Sequence, residues 1–155
     1  MKHLIVVLTT LVTVFVAAGV SAQTADDAIQ LTRSAIQTER QAVVAANLGL
    51  NESESAVFWP IYRDYRNAVE QAADARVDIL TRLFSNYETL TDDEAMSLLN
   101  NHLAFEKEML KIRTSYAKKM SKVLSGRTVA RFFQIENKMD AIIDYEMAGE
   151  IPLVK

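Results

Sequence analysis

The sequence predicts an all-α protein: an elongated four-helix hairpin or bundle with one long central helix, paired as a dimer. Three observations carry this. Beyond residue 22 no stretch alternates apolar and polar residues long enough to argue a strand. Apolar residues recur instead at spacings of three and four, the period of a helix face. Two segments, Leu50-Asn51-Glu52-Ser53-Glu54 and Leu90-Thr91-Asp92-Asp93-Glu94, read as capping boxes. In such a box the cap side chain accepts a backbone N–H of the first turn and the Glu reaches back to the cap.

Residues 1–22 read as a secretory signal. Lys2 is the positive start, Leu4 to Ala18 the apolar run, and Val20-Ser21-Ala22 a small-residue cleavage site. The alternative is a retained anchor, because nothing from Leu4 to Ala22 is charged and such a run can just span a bilayer. The polar sequence that follows favours cleavage, a periplasmic location and no stable membrane insertion afterwards. The chain has no Cys, which excludes lipid attachment through an N-terminal Cys. Cleavage leaves residues 23–155 as a single helical domain, with 16 basic residues against 20 acidic ones.

A first helix is expected from Ala25 to Asn47, with Ile29, Ile36, Val43 and Val44 as sparse apolar positions. Leu48-Gly49-Leu50 breaks it. Asn51 then caps a second helix whose stripe is Phe58, Tyr62, Tyr65, Val69, Ala73, Val77, Leu80 and Phe84. Pro60 removes the bond to the Ala56 carbonyl, which predicts a kink at Ala56–Trp59 or a fresh start at Pro60. Ser85 to Leu90 is the next connection. The central helix runs from Thr91 to Leu124, about 50 Å at 1.5 Å per residue. Its seam is Ala95, Leu98, His102, Phe105, Met109, Ile112, Tyr116, Met120 and Val123, and Gly126 is its stop. So long a seam exceeds what three shorter helices cover, so a homodimer through the long helices is expected. A fourth helix spans roughly 128–147, with Val129, Phe132, Phe133, Ile135, Met139, Ile142, Ile143 and Met147 on its apolar side. Gly149 and Pro152 end it, and an apolar tail follows.

Charge is unevenly spread. From Lys107 to Arg131 there are eight basic residues and one acid, Glu108, while the flanking segments are acidic. An exported acidic protein without a binding motif argues against nucleic acid. Lys107, Lys111, Lys118 and Lys122 lie along one helix face, with Met109, Ile112, Tyr116 and Met120 beside them. Such a surface attracts acidic partners over distance and offers apolar contact on arrival. Phe132 and Phe133 are neighbours that cannot share one face fully, so one of them belongs to an edge or interface and joins this set. The competing reading is a solvated outer face.

The remaining candidates carry little chemistry. His102 falls on the apolar seam with no second His at ligand spacing and no Cys, which reads as a core or interface histidine rather than a metal ligand. Glu136, Asp140 and Asp144 stand at i, i+4 and i+8, where a hard cation could bind. A solvated face, or one that meets the basic part of the long helix, is the simpler reading. No nucleophile motif, phosphate loop or nucleotide fingerprint is present. The expectation is a protein that is not an enzyme and uses no cofactor or metal.

The signal segment, the small helical body and the two Leu-Thr-x-x-Gln-like motifs resemble the Spy/CpxP family of periplasmic proteins. Leu90-Thr91-Asp92-Asp93-Glu94 carries the motif with Glu for Gln, and Leu50-Asn51-Glu52-Ser53-Glu54 is its more distant copy. The resemblance spans most of 25–147. It implies four-helix homodimers. It also implies either ATP-independent chaperone activity toward unfolded or partly folded proteins, or docking on a stress-sensor domain. A metal-binding or metal-sensing role is a distant third. The expected function is therefore a Spy-like holdase, with a regulatory partner of a periplasmic sensor as the alternative.

Overall fold

The computed structural model describes residues 38–155. The predicted signal and the start of the first predicted helix, with Ile29 and Ile36, lie outside these residues. Among the described residues every regular element is an α-helix and there is no strand. The first (α1) covers 38–48 and ends where Gly49 adopts φ +67°, a left-handed conformation that favours glycine. Residues 44–155 form one compact unit, separate from the unit that ends at Val43.

α2 runs from Glu52 to Asn86 and α3 from Asp92 to Met120. Both predicted capping boxes form. The Asn51 side chain accepts the Glu54 N–H at 2.9 Å, and the Glu54 carboxylate accepts the Asn51 N–H at 3.1 Å. At α3 the Thr91 hydroxyl accepts the Glu94 N–H at 3.3 Å, while the Glu94 carboxylate accepts the Thr91 N–H at 2.9 Å. The bonds from the Thr91 backbone and hydroxyl hold the Glu94 carboxyl below its usual range.

Five expectations about these helices are corrected. Among the described residues the longest helix is α2, with 35 residues against 29 in α3. α2 is continuous through Pro60, so there is no fresh start there; Pro60 and Ala56 are both exposed and solvent can serve the freed carbonyl. α3 stops at Met120 rather than Leu124. There the Ser121 hydroxyl donates to the Ala117 carbonyl at 2.7 Å and the following turn tightens. The tightened turn buries Leu124 and turns Val123 outward. Gly126 is not the stop. Ser125 caps α4, Gly126 to Glu150, by accepting the Thr128 N–H at 3.1 Å. α4 also runs past Gly149, ending at the extended residue Ile151 before Pro152.

α2 and α3 pack as an antiparallel hairpin. Tyr65 of α2 meets Tyr116 of α3 edge to face, and the Tyr116 hydroxyl donates to the Asp64 carbonyl at 3.0 Å. α4 returns parallel to α2, since Phe58 meets Phe132, Arg66 meets Glu136 and Arg76 meets Asp144. The core therefore sits where the start of α2, the end of α3 and the start of α4 converge. Phe58, Tyr65, Met120, Phe132 and, from α1, Val44 are almost wholly buried there. Edge-to-face ring pairs add roughly 0.5–1.5 kcal/mol each beyond the area they bury.

The predicted stripe of α2 is right only in its first half. Phe58, Tyr62, Tyr65 and Val69 are buried, but the core then continues through Ala72, Ile79 and Leu83. Val77 and Phe84 are 43% and 48% exposed. A run at 3–4 spacing drifts slowly round a helix, so a one-residue change of phase is invisible until a partner helix selects it.

Candidate functional site

Two surface features of α3 stand out once the core is removed from consideration. The first is the predicted lysine row. Lys107, Lys111, Lys118 and Lys122 are all exposed. Lys111 reaches Glu108 at 3.1 Å, an exposed i,i+3 pair that contributes at most about 1 kcal/mol and leaves the lysine free to move.

The second feature is a groove of about 430 Å³ between α2 and α3. Its apolar lining is Ala72, Ala75, Ile79, Ala104 and Phe105, and Asp78 and Glu108 stand at its rim. The groove exists because alanines occupy positions where larger residues would close the seam between the two helices. Lys107 lies three residues beyond Ala104 and Lys111 three beyond Glu108. On a helix such residues are surface neighbours. Lys107 and Lys111 therefore border the groove, whereas Lys118 lies further along α3 and Lys122 in the turn after it.

The apolar half of the predicted site lies elsewhere. Met109, Ile112, Met120 and Phe132 are core residues, and Met120 and Phe132 have no exposed surface. Tyr116 and Phe133 are half-buried. Tyr116 is held against α2 by its hydroxyl, and the Lys119 ammonium lies 4.1 Å from its ring centre. Of the adjacent pair, Phe132 is the core residue and Phe133 the edge one. These side chains hold the bundle together and are not on offer to a partner. His102 is exposed, so it is not a core histidine. At 100° per residue it lies at the margin of the seam, and neither α2 nor α4 covers it.

The acidic line on α4 is taken up by arginines. Glu136 pairs with Arg66 at 3.1 Å, Asp140 with Arg113 at 2.8 Å and Asp144 with Arg76 at 2.7 Å. Only Arg113 belongs to the basic stretch of α3; the other two partners come from α2. Burial works against the Arg113 charge, but Asp140 and Tyr65 outweigh it and raise its pKa. Beside this ladder Tyr65 is pushed up to about 12, by burial first and then by the Glu136 charge. The ladder is structural. Its three arginines were not singled out in the sequence, although Arg66 adjoins the core residue Tyr65 and Arg76 adjoins Val77 of the predicted stripe.

The groove was also missed. The available signal was small residues at matching intervals on neighbouring helices, Ala72 with Ala75 and Ala104 opposite, which marks a thin seam. No helix among the described residues is long and apolar enough to cross a membrane. No family model matches the chain, and no curated protein or solved structure does.

Proposed function

We propose that the protein is a periplasmic, ATP-independent holdase that binds unfolded or partly folded proteins through the α2–α3 groove and the lysine row beside it. The observation that carries this reading is the adjacency of the two: an open, alanine-lined apolar groove with exposed Lys107 and Lys111 along its border. Charge acts at range. Over a Debye length of about 8 Å at physiological salt, the row attracts acidic segments of a client. Each ion pair, once formed, contributes only about 0–1 kcal/mol. Apolar side chains entering the groove contribute more, roughly 1.5–3 kcal/mol each when fully buried. Shallow walls of alanine impose little shape, which suits many clients rather than one.

The test is light scattering by a reduced or heat-unfolded model protein in the presence of residues 23–155. Suppression at stoichiometric ratios is expected. The Lys107→Glu, Lys111→Glu, Lys118→Glu, Lys122→Glu variant should capture clients more slowly at low salt. Ala104→Trp, which fills the groove from an exposed position, should release them faster. No suppression at stoichiometric excess would overturn the holdase reading in favour of docking on one folded sensor domain.

A further inference from the structure

The two ends of α3 carry opposite charge. Where α3 passes into α4, Lys118, Lys119, Lys122, Arg127 and Arg131 follow one another with no acid between them. All five are exposed, and none of them forms an ion pair among the described residues. The Lys119 ammonium rests over the Tyr116 ring, which leaves its charge uncompensated. The acids that share this end are Glu52 and Glu54 in the first turn of α2, where Glu54 is occupied by the Asn51 N–H. At the other end of α3 stand Glu88, Asp92, Asp93 and Glu94, all exposed, and the ion pair seen there is Lys155 with Glu88 at 2.6 Å. The 29 residues of α3 separate the two ends by about 44 Å at 1.5 Å per residue.

We propose that this basic end docks on the surface of an anionic lipid bilayer, peripherally and without insertion. Range decides the first point. A charged surface is felt over about 8 Å at physiological salt, so the five bases feel it and the acids about 44 Å away do not. The negative net charge of the whole chain is therefore no obstacle. Shape decides the second. The five side chains leave two helices and the turn between them, and they line no shared cavity: the nearest, of about 330 Å³, is lined by Arg113, Ala130, Phe133, Gln134, Glu136 and Asn137. A folded acidic protein would have to match five fixed positions on a convex end. A fluid bilayer moves its anionic lipids to wherever the bases stand. Each base near such a surface favours the bound state by about fivefold. Val123, 47% exposed in the same turn, is too small to anchor the chain in the hydrocarbon.

Docked in this way, the molecule has a fixed polarity. The turn at 121–125 faces the headgroups, and the turn at 87–91 points away. Phe105 of the groove lies thirteen residues before Lys118, about 20 Å from the surface, so the groove stays open. The inference does not rest on the holdase reading, since lipid binding is measured without any client.

The test is flotation of residues 23–155 with lipid vesicles, because the apolar run Leu4 to Ala18 would bind lipid by itself. At about 0.1 M salt the protein should float with vesicles of phosphatidylglycerol and phosphatidylcholine and not with phosphatidylcholine alone. About 1 M salt, where the Debye length is about 3 Å, should release it. The Lys119→Gln, Arg127→Gln, Arg131→Gln variant changes three exposed residues outside the lysine row. It should keep its circular dichroism and bind about a hundredfold more weakly. Lys107→Gln with Lys111→Gln should change binding by less than fivefold. The chain has no Cys, so the polarity is measured directly. An environment-sensitive probe on Val123→Cys should respond to the anionic vesicles, and one on Asp92→Cys should not. Absence of flotation with anionic vesicles, unchanged binding of the triple variant, or equal response of the two probes would overturn the proposal. Displacement from the vesicles by soluble polyglutamate at equal negative charge would overturn it in favour of an acidic polypeptide.

Discussion

The two ends of the α2–α3 hairpin differ in kind. At the end where α2 begins and α3 finishes, α4 closes the seam, and Phe58, Tyr65 and Phe132 lose almost all contact with solvent. Toward the end where α2 finishes and α3 begins, α4 runs out. Ile79, Leu98 and Phe105 are buried, yet Val77, Phe84, Met96 and Leu99 are 43–53% exposed. The apolar spacing is the same at both ends. What separates a core from an uncovered surface is the number of helices that meet there.

The largest effects should come from the closed end. Phe132→Ala is expected to cost about 3–5 kcal/mol and Ile79→Ala roughly 2 kcal/mol, read as urea midpoints at constant slope. Equal losses would break the comparison. Next come the α4 carboxylates, which share a line but not an environment. The side chain of Glu136 is 2% exposed and that of Asp144 is 54% exposed. Glu136→Ala strands Arg66 in the interior and should cost about 3 kcal/mol. Asp144→Ala should cost less than about 1 kcal/mol.

Tyr65 sharpens the comparison through pH. Its ionisation is raised from 10.0 to about 12 in the fold. Between these values the unfolded chain has lost the proton that the folded one keeps, so stability falls as pH rises. The loss approaches roughly 2–3 kcal/mol. It should begin near pH 10, and Tyr65→Phe should shrink it in denaturation curves taken on either side of that pH. The smallest effect belongs to the exposed apolar residues of α3: Leu103, 56% exposed, should change stability by no more than about 0.5 kcal/mol on substitution Leu103→Ser.

Local features of the fold were legible in the sequence because their causes are local. Asn51 with Glu54 and Thr91 with Glu94 needed only a cap, a Glu three residues on and a Leu before. Gly49 needed only its freedom to take positive φ. The α2 stripe was legible up to Val69, where Phe58, Tyr62 and Tyr65 leave no rival face. Beyond it, Ile79 and Leu80, or Leu83 and Phe84, offer two adjacent phases, and only the positions of α3 and α4 choose between them. The candidate site was legible in its charge and not in its apolar part. Lysines stay outside wherever a helix packs, so Lys107 and Lys111 could be placed. Met109, Ile112 and Met120 have the same character as Met96, Leu99 and Leu103, and periodicity alone does not say which set the bundle takes.

The parallel return of α4 bears on the order in which the chain folds. α2 and α3 are joined by a five-residue turn at 87–91 and can zip from it. The contacts of α4 with α2 join residues 68 and 70 apart, Arg76 with Asp144 and Arg66 with Glu136. The longer loop alone adds little, since each doubling costs only about 0.6 kcal/mol. The stronger constraint is that α4 binds α2 and α3 together: Arg113 comes from one and Arg66 and Arg76 from the other. Its landing surface does not exist until the hairpin has closed, so α4 docks last and leaves first. In native-state hydrogen exchange the amides of α4 should therefore open at lower free energy than those of α2 and α3, while the hairpin stays protected.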